Sequence, residues 1–164
     1  MNTTIPNLID EVSDLLNIGV SEVFRTMLTL EAKPAAVLHD WHASGETLVA
    51  GSVGFIGDVN GVVYVHVTAG FARKLASRML GLAEAELEGD EMVNDVIGEL
   101  SNMIVGNVKS RLCDSGAPCV LTIPSIVRGQ NFKIEPVHSC ERRLLAFRCD
   151  ADHIMVELLM KHST

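Results

Sequence analysis

The sequence predicts a single α+β domain spanning residues 1–164, with two long helices and a shorter one packed on a largely antiparallel sheet. The chain is long enough to bury one core, and its composition, 48% hydrophobic but only 4% aromatic, indicates an aliphatic one. Helical and strand-like hydrophobic periods follow one another in the order helix, strands, helices, strands. This mixed order is typical of helices layered on a sheet.

The first half of the chain is predicted to open with a long amphipathic helix. Apolar residues recur at helical spacing over Ile5–Leu30, and Pro6 lies in the first turn, where proline is tolerated. Lys33–Asp40 is predicted to be a strand. Thr47–Ile56 and Gly61–Thr68 are predicted to form an antiparallel hairpin around four turn-like residues.

The second half is predicted to hold two helices followed by strands. The shorter helix covers Ala69–Leu80 and stops at Gly81, and a short acidic link leads to the third helix, Asp90–Asp114. Turn-like segments divide the rest into four predicted strands: Cys119–Val127, Phe132–Val137, Arg142–Cys149 and His153–Met160.

The composition excludes several classes of function. A net charge of −8 disfavours binding to nucleic acid or to anionic lipid, whose phosphates need a basic surface. No stretch has the roughly 18 apolar residues of a membrane span, and no basic N-terminal segment precedes an apolar run. We therefore expect a cytoplasmic protein that binds neither nucleic acid nor membrane.

The four cysteines are expected to be reduced and mostly buried. Cys113, Cys119, Cys140 and Cys149 show no CxxC spacing, and a chain of this length needs no disulfide scaffold. The sharper alternative is a metal site whose ligands are Cys113, Cys119, Cys140 and His138. The paired-ligand spacing of zinc sites is missing, so no metal is predicted.

The third predicted helix carries a polar stripe opposite its core face. At 100° per residue, Glu99, Asn102 and Gly106 fall within about 40° of Asp95. A glycine inside a helix costs about 1 kcal/mol relative to alanine, and here it leaves room for another molecule to approach. The core face consists of Val93, Val96, Ile97, Leu100, Met103 and Ile104.

The string Asp95 to Asn107 resembles the signature of the CheC/CheX/FliY chemotaxis phosphatases. That signature is Asp or Ser, three residues, Glu, two residues, Asn, and a proline about two dozen residues later; Pro124 lies one residue short of this distance. The resemblance is strongest to CheX and extends to residues 53–62, 78–81 and 23–27. It implies a CheC-like fold and a homodimer joined through its sheets.

The resemblance also implies a mechanism, hydrolysis of the aspartyl phosphate of a CheY-like response regulator. Asn102 would orient the attacking water, since an amide both donates and accepts hydrogen bonds. Glu99 would dock the regulator by pairing with its lysine. Asp95 would be peripheral. No cofactor of its own is implied, because the Mg²⁺ belongs to the regulator.

A fainter copy of the stripe is present in the first helix. Asp10, Asp14 and Asn17 have the spacing of Asp95, Glu99 and Asn102, which suggests a decayed internal repeat. CheC-type members of the family carry two such motifs and CheX-type members one. The first helix is therefore either a second, weaker site or merely structural.

The rival to a phosphatase is a non-catalytic module of the same fold that binds a response regulator or joins a flagellar switch. The retained Glu99 and Asn102 favour the enzyme. The chain has no phosphate-binding GxxxxGK[ST] or GxGxxG motif and no nucleophile elbow. His66, His138 and His153 are interpreted as packed or solvated strand residues.

Overall fold

The computed structural model describes residues 7–41, 44–136 and 139–161. Within them, one helix, three strands, two helices and four strands follow one another along the chain, and a short 3₁₀ turn precedes the last helix. The helices are α1 (Leu8–Leu28), α2 (Ala69–Leu80) and α3 (Gly89–Asp114). The strands are β1 (Lys33–Ala35), β2 (Leu48–Gly57), β3 (Gly61–Thr68), β4 (Cys119–Leu121), β5 (Ser125–Gly129), β6 (Cys140–Cys149) and β7 (Asp152–Lys161).

The strands form one antiparallel sheet in the order β1-β6-β7-β3-β2, and both β4 and β5 pair with the outer side of β2. The three helices contact one another and share one apolar core with the sheet. The predicted α+β fold is confirmed. No helix in the described part of the chain combines the length and apolarity that a membrane crossing requires.

The local sequence explains the central hairpin and the helix that follows it. Val53 pairs with Val63 across β2 and β3, and the Asn60 side chain accepts a hydrogen bond from the Gly57 amide in the turn, at 3.1 Å. The Thr68 hydroxyl accepts from a backbone N–H in the first turn of α2. Gly81 ends α2 with a φ of 67°, which favours glycine.

The face of the sheet away from the helices buries a charged cluster. His66 and Glu157 are almost completely buried, and the Glu157 carboxylate accepts hydrogen bonds from His66 Nε2 at 3.1 Å and Arg142 Nε at 2.7 Å. Burial raises the pKa of Glu157, but these two donors outweigh it, so the pKa lies below its usual value. Trp41 and Phe132 cover His66, with ring centroids 4.3 and 6.1 Å away.

Two predicted strands are wrong for the same reason. The strand predicted over Lys33–Asp40 stops at Ala35, and residues 132–136 of the predicted strand Phe132–Val137 form no strand, while Val137 lies outside the described residues. Trp41, directly after the first segment, and Phe132, in the second, pack near His66. Their apolar side chains cover a face of the sheet, so the chain does not run along an edge.

The predicted strand Cys119–Val127 is divided by a β-bulge. Its two parts, β4 and β5, both pair with β2, but Ile123 and Pro124 between them oppose the single residue Val53. Proline has no N–H to donate, and it is tolerated at such a bulge on an outer strand. The bulge reverses which residues face the helices on either side of it.

Candidate active site

Helix α3 presents the predicted stripe to solvent. Asp95 and Glu99 are exposed and Asn102 and Gly106 are half-buried. A Cβ at Gly106 would meet no atom within 4 Å, so the predicted gap beside Asn102 is open. The opposite side of α3 is buried through Val93, Val96, Ile97, Leu100, Ile104, Val105, Val108 and Leu112.

The stripe differs from the neighbouring polar residues of α3 in having no partner. Among the described residues, the side chains of Asp95, Glu99 and Asn102 make no hydrogen bond or ion pair. By contrast, Asn94 accepts a hydrogen bond from an Arg128 guanidinium nitrogen at 2.8 Å. The carboxylate and the amide of the stripe are therefore available to another molecule.

A close approach of α3 to β2 sets the rotation of the helix. A Cβ at Gly51 would lie 3.0 Å from Ser101 Cβ and 3.2 Å from the Ile97 carbonyl oxygen, too close for any other residue. The buried Ser101 hydroxyl donates to that same carbonyl at 2.7 Å. This contact faces the sheet and turns Glu99 and Asn102 outward. The sequence carries no signal for this contact, since Gly51 lies inside an ordinary strand pattern.

Pro124, which the resemblance matches to the proline of the signature, packs beside Gly98, the residue before Glu99. Its Cβ is 3.6 Å from the position that a Cβ on Gly98 would take, and Gly98 directly precedes Glu99. The residue before it, Ile123, is 87% exposed. The bulge therefore brings Pro124 to α3, although Pro124 lies one residue short of the spacing in the signature.

The fainter stripe on α1 has a similar exposure. Asp14 is exposed and Asn17 half-buried, and neither side chain has a partner among the described residues. Asp10 is engaged, because its carboxylate lies 3.2 Å from Arg143 Nε. The position that corresponds to Gly98 is Ser13, whose buried hydroxyl donates to the helix backbone.

The crossing of α1 and α3 supports an internal repeat. The two motifs are offset by 85 residues, from Asp10 to Asp95. Residues with this same offset meet where the helices cross: Gly19 lies against the Ile104 carbonyl, and the Asn107 amide donates to Glu22 at 2.8 Å. Contacts between equivalent positions of the two motifs support the internal repeat that the sequence suggests.

The cysteines do not belong to the candidate site. Cys119 and Cys149 are buried as expected and burial raises the pKa of both thiols, whereas Cys140 is half-buried and Cys113 is exposed, against the prediction. The structure contains no cluster of three or more His, Cys, Asp or Glu side chains suited to a metal among the residues it describes. His138, a member of the alternative metal set, lies outside those residues.

Comparisons with known proteins place this stripe inside a recognised family. The family described as chemotaxis phosphatase CheX matches residues 49–148, which include all of the signature up to Pro124. A CheY-P phosphatase CheX from Thermotoga maritima is 30% identical over 120 residues, covering 71% of this chain and 75% of that protein.

Two solved structures share the fold. A CheC-like superfamily protein from Shewanella sp. PV-4 has a TM-score of 0.78 at 22% identity, covering 99% of this chain and 100% of the other. A CheX-CheY-BeF3-Mg²⁺ complex from Borrelia burgdorferi contains a chain with a TM-score of 0.72 at 24% identity, covering 92% of this chain and 98% of that one. These likenesses agree with the CheC-like fold that the sequence predicted.

Proposed function

Since the chain belongs to the chemotaxis phosphatase CheX family, we propose that it hydrolyses the aspartyl phosphate of a CheY-like response regulator. The observation that carries the proposal is the stripe on α3, where Glu99 and Asn102 face outward with no partner among the described residues. The Thermotoga maritima relative is a CheY-P phosphatase, and the Borrelia burgdorferi structure holds CheY with BeF3 and Mg²⁺. The proposed substrate follows from these two relatives.

Asn102 positions the attacking water. Its amide makes no hydrogen bond within the described structure, so its oxygen and its NH₂ group are both available to a water molecule. A phosphoaspartate is already activated as an acyl phosphate, and its hydrolysis lacks only a nucleophile held in line with the leaving group. Asn102 supplies this orientation and need not act as a base.

Glu99 docks the regulator. It lies about one turn from Asn102 on an exposed helix face, and its carboxylate has no cationic neighbour within the described residues. An ion pair with the regulator's lysine would fix the distance between Asn102 and the phosphoryl group. The net charge of −8 also favours encounter with a basic surface.

The Mg²⁺ of the reaction belongs to the regulator. No described cluster of carboxylates, histidines and cysteines in this chain suits a metal, and the stripe offers a single carboxylate within one turn of Asn102. The ion arrives as part of the substrate and neutralises charge on its phosphoryl oxygens. This chain needs no cofactor of its own, and the cytoplasm is the compartment in which it meets the regulator.

We also propose that the protein is a homodimer joined through its sheets. Strand β1 pairs only with Ala146, Phe147 and Arg148 of β6. The part of β6 before Ala146 pairs with β7 alone among the described strands, so one edge is open. Light scattering over a concentration series tests the assembly; a monomer at every concentration would contradict it.

The activity is tested by phosphate release from a panel of phosphorylated receiver domains of the same organism, with and without the protein. Accelerated release from at least one CheY-like receiver is expected. The rival, a non-catalytic binding module, predicts binding to a receiver without any change in its rate of dephosphorylation. That outcome would contradict the proposed activity.

A further inference from the structure

The most exposed large hydrophobic residue that the structure describes is Ile123, in the bulge beside the signature helix. It is 87% exposed, more than Ile56 at 60% in the regular strand β2 or Val120 at 69% in β4. The bulge explains this exposure. On β2, Val53 and Phe55 face the core, and without the bulge Ile123 would lie opposite Val53 and face it too.

Because the bulge adds one residue, Pro124 and not Ile123 faces the core beside Val53. Thr122 is held to β2 by hydrogen bonds in both directions with Gly54, at 2.8 and 2.9 Å. Pro124 and Ile126 then face α3, where both lie within 4.0 Å of the Cβ position at Gly98. Ile123 lies between Thr122, which is bonded to Gly54, and Pro124, which packs against α3. Its side chain is therefore exposed on an ordered backbone.

Ile123 lies close to the catalytic stripe. Ile123 precedes Pro124, and Glu99 follows Gly98. The contact between Pro124 and the Cβ position at Gly98 therefore places the Cα atoms of Ile123 and Glu99 at most roughly 14 Å apart. A protein that covers Glu99 with a standard interface buries about 800 Å² of this chain, a disc roughly 16 Å in radius. A receiver domain docked on the stripe therefore reaches the bulge.

We infer that Ile123 is an apolar anchor for the response regulator's receiver domain. This inference rests on the proposed function and assigns to Ile123 a role in affinity alone. The stripe on α3 provides a carboxylate and an amide, which give orientation but little apolar contact. An exposed isoleucine at its border provides the apolar contact that concentrates binding energy at an interface.

The test compares Ile123→Ser with Val120→Ser. Val120 is 69% exposed and lies opposite Ile56 on the face of the sheet away from the helices, so it is a matched control on the same outer strand. The probe is the CheY-like receiver of the same organism, activated with beryllium fluoride and Mg²⁺ for binding and phosphorylated for kinetics. Both variants remove an exposed apolar side chain without adding charge.

Ile123→Ser is expected to raise both Kd and KM about tenfold or more, with kcat within about twofold of the parent. Val120→Ser is expected to change none of these. An unchanged Kd for Ile123→Ser, a loss of kcat, or equal losses in both variants would overturn the inference. So would a change in the sedimentation of the free protein specific to Ile123→Ser, because the side chain would then contact a second copy.

Failure of the proposed function gives a different result. If the parent protein does not accelerate phosphate release from the receiver, the phosphatase proposal fails before the variants are compared. If the parent accelerates release and Ile123→Ser binds as tightly as the parent, only the role of Ile123 is contradicted.

Discussion

At the scale of single residues, the candidate site is distinguished by side chains that lack partners. Asn94 and Asn107 on the same helix α3 are held by hydrogen bonds from Arg128 and to Glu22, whereas Glu99 and Asn102 have none within the described structure. The packed helix fixes the backbone at Glu99 and Asn102, so binding a partner orders only their side chains. The proposal assigns separate tasks to them.

Replacing Glu99 with glutamine tests its docking role. We expect kcat/KM for a phosphorylated receiver to fall about 10- to 100-fold, because the ion pair with the regulator is lost, and the dependence of KM on salt to weaken. Asp95→Asn makes the same change of charge one turn earlier and is expected to stay within about twofold. Equal effects of the two substitutions would indicate general electrostatic steering instead.

Glu157 makes stability depend on acidic pH. Its pKa is lowered in the folded state by His66 and Arg142, so the stabilisation is complete above the ordinary glutamate value of 4.5 and is lost as the pH falls through the lower, folded pKa. Glu157→Gln is expected to lower the free energy of unfolding by roughly 2–3 kcal/mol at pH 7. Urea unfolding between pH 3 and 7 measures both effects, and a parent protein whose stability does not change over that range would contradict the assignment.

At the scale of secondary structure, the sequence predicted the three helices, the β2–β3 hairpin and the strands β6 and β7, because their hydrophobic periods are regular. Ile5 and Pro6 of the first predicted helix lie outside the described residues. The β2–β3 hairpin is within one residue of the prediction, and β6 begins two residues early. The segment before Trp41 and the segment that begins at Phe132 were assigned wrongly, since the same alternation of apolar residues suits packing across a face. Hydrophobic periodicity does not distinguish these two arrangements.

The sequence predicted only the part of the candidate site that lies within one helix. Helical periodicity identified the stripe with Glu99 and Asn102, because both the core face and the polar face lie within one helix. The contact of Gly51 with Ser101 and the bulge at Pro124 depend on how distant segments pair. A contact between distant segments leaves no periodic signal in either segment, so neither was predicted.

Two glycine substitutions test how α3 is seated. Gly51→Ala is expected to destabilise the protein by roughly 1–3 kcal/mol, because the new Cβ would displace α3 at Ser101 and at the Ile97 carbonyl. Gly106→Ala places a Cβ in open space within a helix and is expected to stabilise by up to about 1 kcal/mol. Chemical denaturation of both variants measures the difference, and a neutral Gly51→Ala would contradict the close approach.

At the scale of the whole molecule, α1 and α3 contact each other through equivalent positions of their two motifs. Residues 85 apart meet at their crossing, as with Gly19 and Ile104. The two halves differ beside the motif, since α3 has Gly98 with Pro124 against it and α1 has the buried Ser13 in its place. The repeat that the sequence suggested is thus supported in the architecture, while the surroundings of the two motifs have diverged.

This divergence predicts a single active site. Asn17→Ala is expected to leave the dephosphorylation rate within about twofold of the parent, because the α1 motif has the shorter Asp14 and its Asp10 is held by Arg143. Phosphate release from the phosphorylated receiver measures it, with circular dichroism as the control for folding. A loss of about half the activity would show that α1 carries a second working site.

The central claim is that Asn102 orients the attacking water. The most direct measurement is the decay of a phosphorylated CheY-like receiver at saturating amounts of the parent protein and of Asn102→Ala, with binding to the receiver measured separately. Because the side chain is half-buried and has no partner in the described structure, the variant is expected to fold and to bind. We predict that its acceleration of the decay falls at least about 100-fold, to near the intrinsic rate of the receiver. A folded Asn102→Ala protein that still dephosphorylates the receiver at the parental rate would contradict the account.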